Sequence, residues 1–122
     1  MWSTSAAGRG RPAGVEEREY ESLAREAFDR VIDMFDDVDP DDVDVEQAGD
    51  VITLTCASGK RVVMNTQRPA RQIWLAGDER AWHFSFDPDR AGWFDDKRPD
   101  EELLTTIRGL MRTLAQVEIG DC

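Results

Sequence analysis

The chain has 122 residues, 40% of them apolar and 34% charged, and its 26 acids against 15 lysines and arginines leave a net charge of −11. That length holds one domain with one core, and no apolar run approaches the roughly 18–20 residues that a membrane span requires. A field of this sign repels nucleic acid and anionic lipid and draws cations and basic protein surfaces, while two cysteines, Cys56 and Cys122, make neither a disulfide framework nor a thiolate metal pair and suit a reducing, intracellular setting.

Residues 1–14 contain no acid, are rich in Gly, Ala and Ser, and carry Arg9 and Arg11. They lack the apolar stretch of a secretory signal and read as a disordered N-terminal tail, with a basic transit-type remnant as the alternative. From about residue 15 to residue 38 the apolar residues follow a helical period. Tyr20, Leu23, Ala24, Ala27, Phe28, Val31, Met34, Phe35 and Val38 share one side, and Glu26, Asp29, Asp33, Asp36 and Asp37 share the other. The pattern predicts an amphipathic helix with a core face and an acidic face, ended by Asp39-Pro40. Residues 15–46 hold fourteen acids against Arg18, Arg25 and Arg30, so one quarter of the chain carries the whole charge imbalance.

The period then changes to two. Val43 and Val45 alternate with acids, and the segments 51–56, 60–65, 71–76 and 80–86 read as antiparallel strands joined by short turns, with a short sixth around 92–94. Pro99 suits the first position of a second helix, along which Leu103, Ile107, Leu110, Leu114 and Val117 form one apolar stripe. Two one-sided helices flanking five or six strands predict an α+β two-layer sandwich. Both helices pack on one face of a five- to six-stranded antiparallel sheet. The domain would run from 15 to 119, leaving 120–122 as a short tail. Pleat alternation points Ile52, Leu54, Val62, Met64, Ile73, Leu75, Trp82, Phe84 and Phe86 inward. It points Thr53, Thr55, Arg61, Val63, Asn65, Gln72, Trp74, His83 and Ser85 outward. A tryptophan on an open sheet face is a candidate binding anchor.

No phosphate-binding glycine loop, Cys-x-x-Cys, His-Glu-x-x-His or Gly-x-Ser-x-Gly occurs. The one histidine, His83, sits on a strand among aromatics and reads as a surface or half-buried residue. Cys56 follows the inward pattern and reads as core; Cys122 has no basic neighbour to activate it. What remains is carboxylate. Glu26, Asp29, Asp33, Asp36 and Asp37 stand three or four apart, and Asp39, Asp41, Asp42 and Asp44 extend the row into the loop and first strand. Oxygen ligands favour hard cations. A convex row cannot enclose an ion, so any binding should be weak. Taken alone, the row reads as a solvated helix face before it reads as a metal site.

The segment Asn65-Thr66-Gln67-Arg68-Pro69-Ala70-Arg71-Gln72-Ile73-Trp74-Leu75-Ala76 resembles the signature of the frataxin family, Asn-x-Gln-x-Pro followed by Gln-(Ile/Val)-Trp-(Leu/Ile)-(Ala/Ser). Leu-Thr before a Ser-Gly turn, the aromatic-His-Phe at 82–84, and an acidic first helix ending in Asp-Asp are also similar, and the likeness covers roughly residues 16–117. The resemblance implies a protein that assists or regulates iron–sulfur cluster assembly by binding iron, Fe²⁺ or Fe³⁺, weakly on its acidic ridge and docking to the cysteine desulfurase and the scaffold protein. It makes Glu26, Asp29, Asp33, Asp36, Asp37, Asp39, Asp41, Asp42 and Asp44 the candidate iron ligands, and Asn65, Gln67, Gln72 and Trp74 the candidate partner contacts. It implies no catalytic residue. A ferroxidase and a metal-independent acidic adaptor are the alternatives. The histidine at position 83 resembles bacterial members, so a cytoplasmic protein is expected, with the mitochondrial matrix as alternative. The expected state is a monomer, with an iron-dependent oligomer as alternative. The family's C-terminal extension packs between the helices, and the few residues after the second helix here imply lower stability.

Overall fold

The structure, a computed structural model, describes residues 16–120. The expected N-terminal tail and Cys122 lie outside the described residues. Helix α1 spans Glu17–Met34, and strands β1 (Val43–Ala48), β2 (Val51–Cys56), β3 (Arg61–Gln67), β4 (Gln72–Gly77), β5 (Arg80–Asp87) and β6 (Gly92–Asp95) precede helix α2 (Leu103–Ala115). The six strands form one antiparallel meander in sequence order, β1-β2-β3-β4-β5-β6. Among the described residues no helix is long and apolar enough to cross a membrane.

Short turns set the register. Ala48 pairs with Val51 across Gly49-Asp50, where Gly49 takes φ +59°. Gly77 pairs with Arg80 across Asp78-Glu79, and both loop residues are left-handed, at φ 54° and 60°. Two successive left-handed residues match the right-handed twist of a hairpin, although a glutamate occupies the second position.

The alternation read from the strands holds. Ile52, Leu54, Cys56, Val62, Met64, Ile73, Leu75, Trp82, Phe84 and Trp93 are buried in one cluster with Tyr20, Ala24, Phe28 and Val31 of α1 and Leu103, Ile107, Leu110, Met111 and Leu114 of α2. A single cluster containing both helical stripes and every second strand residue means that both helices cover the same sheet face. Phe86, expected inside, is only half-buried: it pairs with Trp93 across β5 and β6 and meets that ring edge-on at 5.5 Å between centroids. Beyond α2, Val117 and Ile119 still pack on the core.

Strand ends fall within one or two residues of the sequence reading, whereas two helix ends differ from it by a full turn. The apolar period continues to Val38, but α1 stops at Met34. Phe35, Asp36 and Val38 then donate to the carbonyls of Ile32, Asp33 and Phe35 at 3.1 Å each, the three-residue step of a tightened turn. The last helical turn has no basic residue, and Asp33, Asp36 and Asp37 crowd the negative end of the helix dipole, which disfavours another turn. Likewise α2 begins at Leu103 rather than Pro99. The Glu102 carboxylate caps the amides of Leu104 and Thr105, each at 3.0 Å, so helical bonding starts there.

Candidate functional site

Two surfaces carry the residues singled out from the sequence. The first is the acidic row. Glu26, Asp29 and Asp33 project from α1, Asp36 and Asp37 stand in the tightened turn that follows it, Asp39, Asp41 and Asp42 form the loop, and Asp44 lies on β1. All nine are exposed. The loop is wound around Asp39, whose Oδ1 accepts the Asp41 amide at 2.9 Å and whose carbonyl accepts the amides of Asp42 and Val43. None of the nine forms an ion pair among the described residues.

The row is divided by the crest of α1. Glu26 and Asp33 border a groove shared with α2 and β6, with Arg30 between them, whereas Asp29 borders a smaller hollow toward the β1–β2 turn, with Arg25. Among the described residues no three His, Cys, Asp or Glu side chains gather closely enough to enclose a metal ion. Chemically, such a row can neutralise and loosely hold a hydrated hard cation, or meet a basic surface.

The second surface is the open face of the sheet. Register aligns Val51, Asn65, Trp74 and His83 in one row across β2 to β5, and Gln67, Gln72, Ser85 and Phe94 in the next row across β3 to β6. Trp74 is half-buried, its ring stacked on His83 at 4.1 Å between centroids and 14° between planes. Its Nε1–H donates to Gln72 Oε1 at 2.9 Å, and Gln67 Nε2 donates to Asn65 Oδ1 at 2.8 Å. From the core side, the Tyr20 hydroxyl donates to the carbonyl of Gln72 at 2.7 Å, so α1 steadies the backbone beneath this face. The four candidate contact residues therefore form two adjoining pairs on β3 and β4.

Sequence reasoning missed the corner after β6. Asp95 is 4% exposed, the one charged residue described as buried. Its Oδ1 accepts the His83 amide at 2.9 Å, and its Oδ2 accepts the amides of Lys97 and Arg98 at 3.0 and 2.8 Å and Arg98 Nε at 3.4 Å. Burial alone would raise its pKa, but the hydrogen bonds from His83, Arg98 and Lys97 outweigh burial and hold the carboxyl below the usual carboxylate range. The available signal was an aspartate two and three residues before basic residues and a proline, the spacing of a side chain that folds its own turn. At Cys56, burial pushes the thiol pKa up, which keeps it protonated and inert.

A model of the frataxin-like domain matches residues 13–116. The chain is 30% identical over 104 residues to an iron-sulfur cluster assembly protein of Pseudomonas fluorescens, CyaY, covering 85% of this chain and 93% of that one. It is 35% identical over 101 residues to the CyaY protein of Aeromonas hydrophila, covering 83% and 93%. Among solved structures, the frataxin of Psychromonas ingrahamii superposes with a TM-score of 0.77 at 24% identity, covering 86% and 96% of the two chains. Trimeric frataxin of the yeast Saccharomyces cerevisiae, in a ferrous complex, superposes at 0.56 with 18% identity, covering 93% and 94%. These two likenesses concern the fold: two helices and an open six-stranded antiparallel sheet.

Proposed function

The chain belongs to the frataxin-like family, and we propose that it assists iron–sulfur cluster assembly by holding iron weakly on its acidic ridge and docking to a cysteine desulfurase–scaffold pair. The observation that carries this reading is the set of nine solvent-facing carboxylates between Glu26 and Asp44, free of ion pairs among the described residues, in a protein whose relatives are named iron-sulfur cluster assembly proteins.

Each step follows from ordinary solution chemistry. Iron is cargo here. A hard cation exchanges some water for carboxylate oxygen. Because the ligands stand on a convex surface split by the crest of α1, the ion keeps most of its water and leaves easily. Weak binding of this kind suits delivery or sensing better than storage. The same carboxylates, at an ionic strength near that of a cell, guide a basic surface over a range of about 8 Å. On the opposite side of the sandwich, Trp74 supplies the large apolar contact that anchors interfaces, and Asn65, Gln67 and Gln72 supply amide donors and acceptors around it.

The test has two arms. Titrating iron into the isotopically labelled protein should broaden the amide signals of residues 26–44 first, with dissociation constants in the micromolar range or weaker. Selective broadening around Cys56 or His83 would overturn the ridge assignment. Cluster formation on a purified desulfurase–scaffold pair should change rate when the protein is added. An unchanged rate at saturating protein would overturn the assembly reading.

A further inference from the structure

Trp74 is held from two directions, and both holds lead to the end of β6. Its ring face rests on His83, and its Nε1–H donates to Gln72 Oε1 at 2.9 Å. Gln72 can accept there only with its NH₂ group turned away from the indole. That group donates to Ser85 Oγ at 3.2 Å and to the Asp96 carboxylate, and the Ser85 hydroxyl donates to Asp96 Oδ1 at 2.9 Å. A carboxylate accepts hydrogen bonds and never donates them. Asp96 therefore selects one of the two orientations of the Gln72 amide. The reverse orientation would set Oε1 against the carboxylate and an NH₂ against the indole N–H. The stacking partner is tied to the same corner: the Asp96 amide donates to the His83 carbonyl at 2.9 Å, and Asp95 Oδ1 accepts the His83 amide.

We propose that Asp96 is a positioning residue for Trp74, acting through the Gln72 side chain to fix how the indole is presented on the open sheet face. Its consequence for docking rests on the reading of Trp74 as a partner anchor; its effect on the indole does not. A preoriented aromatic loses less rotational freedom on binding than one free to swing, so a partner meeting Trp74 in this orientation binds more tightly. Asp96→Asn tests the selection itself. Asparagine nearly preserves shape, but its own NH₂ can face Gln72 and allow the amide to turn over.

The experiment uses the full chain labelled with ¹⁵N, with the Trp74 indole signal assigned by its loss in Trp74→Phe. In Asp96→Ala the Trp74 indole N–H should shift upfield and exchange with water roughly two- to tenfold faster, the range of one net hydrogen bond, while the Trp82 and Trp93 indoles stay in place. Asp96→Asn should move the same signal by a smaller amount. Binding to a desulfurase–scaffold pair should weaken by a similar factor in Asp96→Ala and by no further factor when Asp96→Ala is added to Trp74→Ala. An indole signal unmoved in both Asp96 variants overturns the proposal. So does equal weakening of binding with and without Trp74, which would mean that Asp96 meets the partner itself. If Trp74→Ala alone binds as the unaltered protein does, the docking reading fails, and the indole signal still decides the coupling.

Discussion

Replacing Asp95 by asparagine removes one charge and exchanges one acceptor oxygen for an NH₂ donor, with little change in shape. The carboxylate serves donors on two sides, the His83 amide at Oδ1 and the Lys97 and Arg98 groups at Oδ2. Asparagine has a single oxygen, so one side must meet a donor. A buried donor left unmet costs about 1–3 kcal/mol, and the surviving bonds lose their charge assistance, for a total of about 2–4 kcal/mol. For a domain of this size that corresponds to a fall in Tm of roughly 10–25 °C, measured by circular dichroism on heating. The pH dependence separates this mechanism from simple misfit. The folded carboxyl titrates below its unfolded value of about 3.9. Its stabilisation is therefore complete above that value and is lost as the pH falls through the folded pKa. The gap between the unaltered protein and Asp95→Asn should narrow from about pH 5 downward. Equal melting temperatures near neutrality, or a gap that does not shrink in acid, would refute the account.

Trp74→Ala should leave a folded domain that loses about 1 kcal/mol or less, the scale of a cross-strand pair, while partner binding weakens by roughly 2 kcal/mol. A loss of about 3–5 kcal/mol in denaturant melts, the cost of a core aromatic, would contradict its place on the open face. Changing Asp33, Asp36 and Asp37 together to Asn should raise Tm or leave it unchanged, since like charges at the negative end of α1 are relieved, and should weaken salt-sensitive docking. A clearly less stable triple variant would make these carboxylates structural. Glu79→Gly should stabilise by about 0.5–1 kcal/mol in urea melts, the relief of left-handed strain less the chain entropy of glycine; a loss would mean that the Glu79 side chain contributes contacts the turn needs.

Local chemistry wrote most of the fold into the sequence. Hydrophobic period is a property of neighbouring residues, so the change from a helical repeat in α1 to alternation in β2–β5, and back to a helical repeat in α2, could be read directly. The same alternation separated Ile73 and Leu75 from Trp74, because a pleat reverses direction at every residue. The exposure of Glu26, Asp29 and Asp33 was equally local, each standing opposite the apolar stripe of α1. Element ends were less legible, since they depend on competing caps. The apolar stripe runs past Met34, yet the charge at the helix end stops it, and Pro99 yields to Glu102 as the start of α2.

Only the tertiary structure decided which of the described acids is buried. Asp95 and Asp96 are adjacent and chemically alike, yet one turns beneath β5 to collect amides and the other faces the Gln72 and Ser85 side chains on the open sheet. That choice depends on β5 and β6 pairing and on the sheet bringing Gln72 to within reach from 24 residues away. A carboxylate is worth burying only where several donors converge, and convergence is a property of the assembled sheet that no stretch of sequence contains.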